Sequence, residues 1–162
     1  MRLLVIISIF ISLEAMAGPC SPGAQRPCSI ELESTLPSGK SYRLEIRETN
    51  LLLKNSDNSE ATGYWGAGGV YPSTAIETIS LVVENSKFSL PPKTYTDLGT
   101  INKAEIRENE HAIVLVVKGG DADDSYYATF VFIDGKVRKR TVRNSLLPDQ
   151  HWEKSSFRSA TD

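Results

Sequence analysis

Apolar residues alternate with polar ones, or form short β-branched runs, through most of the sequence from Ser41 onward. Turn-forming residues interrupt these runs at short intervals. A two-residue period places alternate side chains on opposite faces of a strand, so that one face of each segment can enter a core. The pattern predicts an all-β chain folded as a single antiparallel β-sandwich or open barrel, with one or two short helical turns.

The clearest element is a hairpin formed by SYYATFVFI and KVRKRTVR around the dipeptide Asp134-Gly135. This dipeptide tolerates the positive φ angles of a type I′ turn. Pairing outward from the turn sets Phe132 opposite Val137 on the core face. On the same register Arg138 and Arg140 lie together on the outward face, and a shift of one residue would reverse this arrangement.

Three other segments depart from simple alternation and predict other elements. HAIVLVVK has apolar residues in both alternating phases, which predicts a central strand that is covered on both sides. PPKTYTDL and PDQHWEKS have helix-compatible starts at Pro91 and Pro148, and each would form a helix of a turn or two.

The N-terminus has the pattern of a signal peptide. Arg2 is followed by the apolar run from Leu3 to Leu13 and then by the small-x-small sequence from Ala15 to Ala17. The apolar run is too short to span a bilayer, which argues against an N-terminal anchor. We predict cleavage after Ala17 and a periplasmic or secreted product, with a terminal segment at 18–40 and a β-rich domain at 41–162. Acylation at Cys20 is the alternative, and the preceding Pro19 argues against it.

After cleavage the chain has two cysteines, Cys20 and Cys28. An oxidising compartment favours a disulfide between them. Their spacing does not fit a CxxC redox pair, and a thiolate metal site would lack nearby histidines. The formal net charge of −2 provides no global attraction to nucleic acid or to membranes, and we expect no membrane span after cleavage.

The segment KGGDADDSYYA could bind calcium or form a turn. Asp121 and Asp123 have the alternating spacing of calcium ligands, but the central glycine and final glutamate of an EF-hand are missing. Gly119 and Gly120 with a hydrogen-bonding aspartate fit a turn between antiparallel strands. We favour the turn, we expect no cofactor, and a looser calcium site at Asp121 and Asp123 is the alternative.

Two segments are candidate ligand-binding sites. The basic strand KVRKRTVR contains Arg138 and Arg140, whose guanidinium groups could hold a phosphate, a sulfated sugar or an acidic protein. Neighbouring glutamates could equally neutralise them. The glycine-rich segment TGYWGAGGVYP presents Tyr64 and Trp65, either as a platform for a sugar or a proline-rich peptide or as a bend that plugs the sandwich. The basic strand lacks interleaved aromatics, so we expect no nucleic-acid partner.

Catalytic motifs are absent from the sequence: HExxH, GxSxG and SxxK do not occur. The function predicted is therefore an exported binding or accessory domain of the cell envelope, non-catalytic, with a protein or glycan partner. The alternatives are a small secreted hydrolase that uses Asp121, Asp123 or His151, and a structural module stabilised by calcium.

The segments LPPKTYTDL, KGGDADDSYYATFVFIDGKVRKRTVR and PDQHWEKSSF together resemble an arrangement that recurs in uncharacterised exported bacterial proteins. The resemblance covers roughly the C-terminal half of the chain. It implies a bacterial, periplasmic origin and brings no activity with it.

Overall fold

The computed structural model describes residues 27–51, 63–66, 72–109, 111–147, 149 and 151–157. The predicted signal peptide and Cys20 lie outside the described residues, so cleavage after Ala17 and the Cys20–Cys28 disulfide stay predictions. None of the described residues belongs to a helix that is long and apolar enough to cross a membrane.

The described chain forms two antiparallel sheets, which confirms the predicted all-β class and the β-sandwich architecture. The first sheet has the order β1-β2-β3-β4 and the second the order β5-β6-β7-β8-β9. Two short 3-10 turns, Pro92–Thr94 and Ala122–Asp124, accompany them. The strands are β1 (Ser29–Thr35), β2 (Ser41–Asn50), β3 (Thr74–Val83), β4 (Ser86–Phe88), β5 (Ile101–Asn109), β6 (Ala112–Gly119), β7 (Tyr126–Ile133), β8 (Lys136–Asn144) and β9 (His151–Ser156).

The core lies between the two sheets and consists mainly of the inward-facing apolar side chains of β1, β2, β3, β5, β6, β7 and β8. Its largest fully buried side chains include Leu44, Ile46 and Leu81 from the first sheet and Leu115 and Phe130 from the second. Burying such a side chain contributes about 1.5–3 kcal/mol to folding. The strand β1 lies within residues 18–40, so this terminal segment supplies an edge strand of the first sheet.

The β7–β8 hairpin turns as predicted, because both Asp134 and Gly135 have positive φ angles of 50° and 70°. The predicted placement of the two arginines on one outward face is wrong. Phe132 does pair with Val137, but the register then shifts, so that Phe130 lies opposite Arg140. Such a bulge inserts one extra residue into a strand and reverses the faces beyond it.

The two proline-initiated segments have different outcomes. Pro92–Thr94 forms the short helical turn that was predicted. The second prediction is wrong over His151–Ser156, which form β9 and pair with β8. The strand β6 is an interior strand of its sheet, as predicted. The predicted cover on both sides is not formed by a second layer of the described chain: on the outward side Val116 is 7% exposed and Val114 is half-buried, and both line a surface depression.

Candidate anion-binding face

The outward face of the second sheet collects positive charge from several strands. It forms a shallow depression of about 630 Å³. We call this surface the basic face and define it by its five cationic side chains, Lys103, Arg107, Lys118, Lys139 and Arg143. A single carboxylate, that of Glu105, lines the same depression.

The strand register arranges this face in three parallel rows, because residues that lie directly opposite each other in a sheet point to the same side. The first row is Lys103, Lys118, Tyr127, Arg143 and His151; the second is Glu105, Val116, Thr129, Thr141 and Lys154; the third is Arg107, Val114, Val131, Lys139 and Ser156. The first row is the most cationic, and the second and third contribute apolar side chains and threonine hydroxyls.

Tyr127 lies between two cations of the first row. The Nζ atom of Lys118 is 5.6 Å from the centre of its ring, and the Cζ atom of Arg143 is 5.5 Å from it. The two cations come from the strands on either side of β7. Each such contact contributes about 0.5–1 kcal/mol at an exposed site. Tyr127 therefore holds the two charges in place with its ring between them.

Most of the positive charge on the basic face has no neutralising carboxylate among the described residues. Arg107 forms an ion pair with Glu105. Among the described residues, no other carboxylate lies within ion-pair distance of a cation of this face. The Nε atom of Arg143 is buried and lacks a hydrogen-bond partner within the described part of the chain. Four of the five cations of this face therefore carry charge that no described carboxylate neutralises.

Arg140 lies in the interior and not on the outward face where it was predicted. Its side chain donates to Asp97 Oδ2 at 2.7 Å and lies 3.4 Å from Glu153 Oε2, and the residue is only 4% exposed. Arg138 is the extra residue of the bulge and is half-buried. The structure therefore does not bring these predicted ligand-binding residues together, and neither lines the basic face.

The aromatic pair also lies away from the basic face. The amide of Trp65 donates to the carbonyl of Asp97 at 2.8 Å, and the amide of Gly99 donates to the carbonyl of Trp65 at 3.1 Å. The Trp65 side chain packs partly buried against the core, and Tyr64 is half-buried. Both belong to one end of the sandwich and do not line the depression, so their predicted ligand-binding role stays a prediction.

The segment GGDADDS forms the predicted turn between β6 and β7. Asp121 Oδ1 accepts a hydrogen bond from the amide of Ala122 at 2.8 Å, and Asn144 Nδ2 donates to the carbonyl of Asp123 at 2.9 Å. Within the described ranges, no three His, Cys, Asp or Glu side chains form a group suited to a metal ion. Calcium binding by Asp121 and Asp123, and their catalytic use with His151, stay predictions.

Sequence reasoning missed a buried polar cluster between the sheets. Glu48 is 8% exposed and accepts hydrogen bonds from Thr74 Oγ1 at 2.9 Å, the amide of Ile101 at 2.7 Å and the amide of Cys28 at 2.9 Å. This carboxylate therefore joins three strands and the start of the described chain. The signal was present in SYRLEIRE, where Glu48 continues the buried phase of Leu44 and Ile46.

Tyr126 belongs to the same interior. Its hydroxyl donates to the carbonyl of Gly99 at 2.9 Å. Burial raises the pKa of Tyr126 well above its usual range; the carboxylates of Glu48 and Asp97 raise this pKa further, and Arg140 lowers it. The hydrogen bond to Gly99 joins β7 to the segment that precedes β5.

Comparison with protein-family models, with curated proteins and with solved structures finds no match to this chain.

Proposed function

We propose that this chain is an exported, non-catalytic binding or accessory domain of the bacterial envelope, and that it holds an anionic partner on its basic face. The observation that carries this proposal is the charge imbalance of that face, where five Lys or Arg side chains line a depression with one carboxylate. The predicted signal peptide, the predicted Cys20–Cys28 disulfide and the resemblance to exported bacterial proteins support the location.

Binding at this face is a local effect. The formal net charge of the whole chain is −2, so the protein as a whole does not attract anions. Screening in physiological salt limits each charge to a range of about 8 Å. A partner must therefore lie directly over the rows of cations to be held, and its affinity must fall as salt is added.

The arrangement suits binding better than catalysis. Acid–base or nucleophilic catalysis needs at least two groups held within hydrogen-bond reach of one reacting centre. The five cations of the basic face are instead distributed over the three strands β5, β6 and β8, and the side chains between them are mainly valines and threonines. Distributed cations over an apolar floor can hold an extended anion without a reacting centre.

The test compares two double variants on an immobilised sulfated polysaccharide. We expect Lys118→Ala with Arg143→Ala to elute at clearly lower salt than the natural protein, because two unneutralised cations are lost. The matched control is Arg43→Ala with Arg47→Ala, which removes the same number of charges from the outward face of the first sheet. Thermal melts establish that both variants fold.

The control must elute close to the natural protein for the proposal to stand. Equal losses in the two variants would show that retention follows net charge rather than the basic face. Retention unchanged by Lys118→Ala with Arg143→Ala would overturn the proposal outright.

A further inference from the structure

We infer that the anion is a linear polysaccharide carrying carboxylate or sulfate groups, and that it lies across the strands along the first row of the basic face. This inference rests on the proposed function and specifies its ligand. Three observations carry it: the span of the row, the position of Tyr127 between two cations, and the charges just beyond the row.

The span of the first row exceeds what a small anion can contact. Its residues lie on five neighbouring strands, and four inter-strand steps of about 4.8 Å give roughly 19 Å from Lys103 to His151. A single phosphate or sugar acid contacts one or two of these positions. A polymer with repeated negative charges contacts Lys103, Lys118 and Arg143 at once.

The environment of Tyr127 favours a glycan over a nucleic acid. Binding of single-stranded nucleic acid relies on aromatic faces that are open to the bases. Lys118 and Arg143 lie within 5.6 Å and 5.5 Å of the ring centre and come from the two flanking strands, so a base that stacked on the ring would compete with these cations. The hydroxyl groups of Thr129 and Thr141 in the second row match the hydroxyl groups of a sugar chain.

The charges beyond the row disfavour a membrane surface. Asp121, Asp123 and Asp124 are exposed directly after β6, close in sequence to Lys118. A plane of anionic lipid that contacted this end of the sheet would meet these carboxylates and be repelled. A thin chain that follows the row across the strands avoids them.

The experiment measures affinity by calorimetry for sulfated disaccharide, tetrasaccharide and octasaccharide probes. We expect the octasaccharide to bind at least about tenfold more tightly than the disaccharide, because each additional contact forms at high effective concentration. We expect Tyr127→Leu to weaken octasaccharide binding about threefold, since the two cations lose their common support. Tyr127→Phe retains the ring and should retain the affinity.

The outcomes separate the inference from the proposal on which it rests. Equal affinity for the disaccharide and the octasaccharide would overturn the linear ligand while leaving an anion site in place. Tighter binding of oligodeoxythymidine or of phosphatidylglycerol vesicles than of the octasaccharide would overturn the glycan and assign the face to that ligand. Absence of binding to every anionic probe would overturn the proposed function itself.

Discussion

The two sheets share one architecture but use charge differently on their outward faces. On the first sheet, Arg43 forms an ion pair with Glu33 at 3.1 Å, and Arg47 pairs with Glu45. On the second, Arg107 pairs with Glu105, while Lys118 and its row neighbours have no described carboxylate within reach.

The register of the strands shows which charged side chains lie on each outward face. The outward side of the first sheet carries Arg43, Arg47 and Lys87 against Glu31, Glu33 and Glu45, and the exposed Glu77 of the β3 bulge adds a fourth carboxylate. The basic face carries five cations against Glu105. A surface that only keeps a protein soluble mixes both signs, and the first sheet does so. The uncompensated charge of the second sheet is the property on which the proposal of an anionic partner rests.

The largest effect we expect is on the free energy of unfolding, and it distinguishes the interior arginine from a surface arginine. Arg140→Ala should lower the free energy of unfolding by about 3–5 kcal/mol, because it leaves the carboxylates of Asp97 and Glu153 without their buried partner. Arg143→Ala should change the free energy of unfolding by less than about 1 kcal/mol. Urea titration of both variants measures the two changes in the free energy of unfolding. Equal losses would mean that Arg143 is structural and that the basic face is not held ready for a ligand.

Charge reversal tests the comparison of the two outward faces directly. We expect Lys118→Glu with Arg143→Glu to weaken binding of a sulfated octasaccharide at least about 100-fold, since like charges then face the ligand. Arg43→Glu with Arg47→Glu changes net charge equally and should weaken binding less than about threefold. Calorimetry at constant salt gives both values, and similar losses on the two faces would abolish the distinction.

High pH should lower the stability of the protein through ionisation of the buried Tyr126. The folded-state pKa of Tyr126 is raised by burial, so its contribution to stability is complete below the unfolded-state pKa of about 10 and is lost as pH rises through the folded value. Tyr126→Phe should be about 1 kcal/mol less stable at pH 7, where the hydrogen bond to Gly99 is lost. The difference should shrink or reverse at pH 11. Denaturant titrations at the two pH values measure it, and a constant difference would contradict this account.

The smallest effect on stability concerns the outward face of the first sheet, where carboxylates neutralise the arginines. Arg43→Ala removes the exposed ion pair with Glu33 and should change the free energy of unfolding by no more than about 0.5 kcal/mol. Its affinity for the octasaccharide should equal that of the natural protein. A clear loss of affinity would show that the first sheet also contacts the ligand.

The sequence predicted where the strands lie better than it predicted which of their side chains face the core. Alternation and the Asp134-Gly135 turn were sufficient for the all-β class and for the β7–β8 hairpin. A bulge has no strong sequence signal, and this one reverses the face of Arg140. The burial of Glu48 could have been read from the phase of its strand, but its donors come from distant segments.

The basic face itself could be found only in part. Lys139 and Arg143 belong to the basic strand that the sequence makes conspicuous. Lys103 and Lys118 come from strands with no unusual charge, and they join the first row only through the pairing of β5, β6 and β7. Register between strands is a tertiary property, so the row could not be predicted from any single segment.

The most direct test of the basic face as a binding site is a two-dimensional amide NMR titration of the purified protein with a sulfated octasaccharide. We predict that the largest shifts fall on Lys103, Lys118, Tyr127 and Arg143, with the amides of β1 and of Arg43 unchanged. Shifts centred on the first sheet, or spread equally over both outward faces, would contradict the assignment of the basic face as the ligand-binding surface.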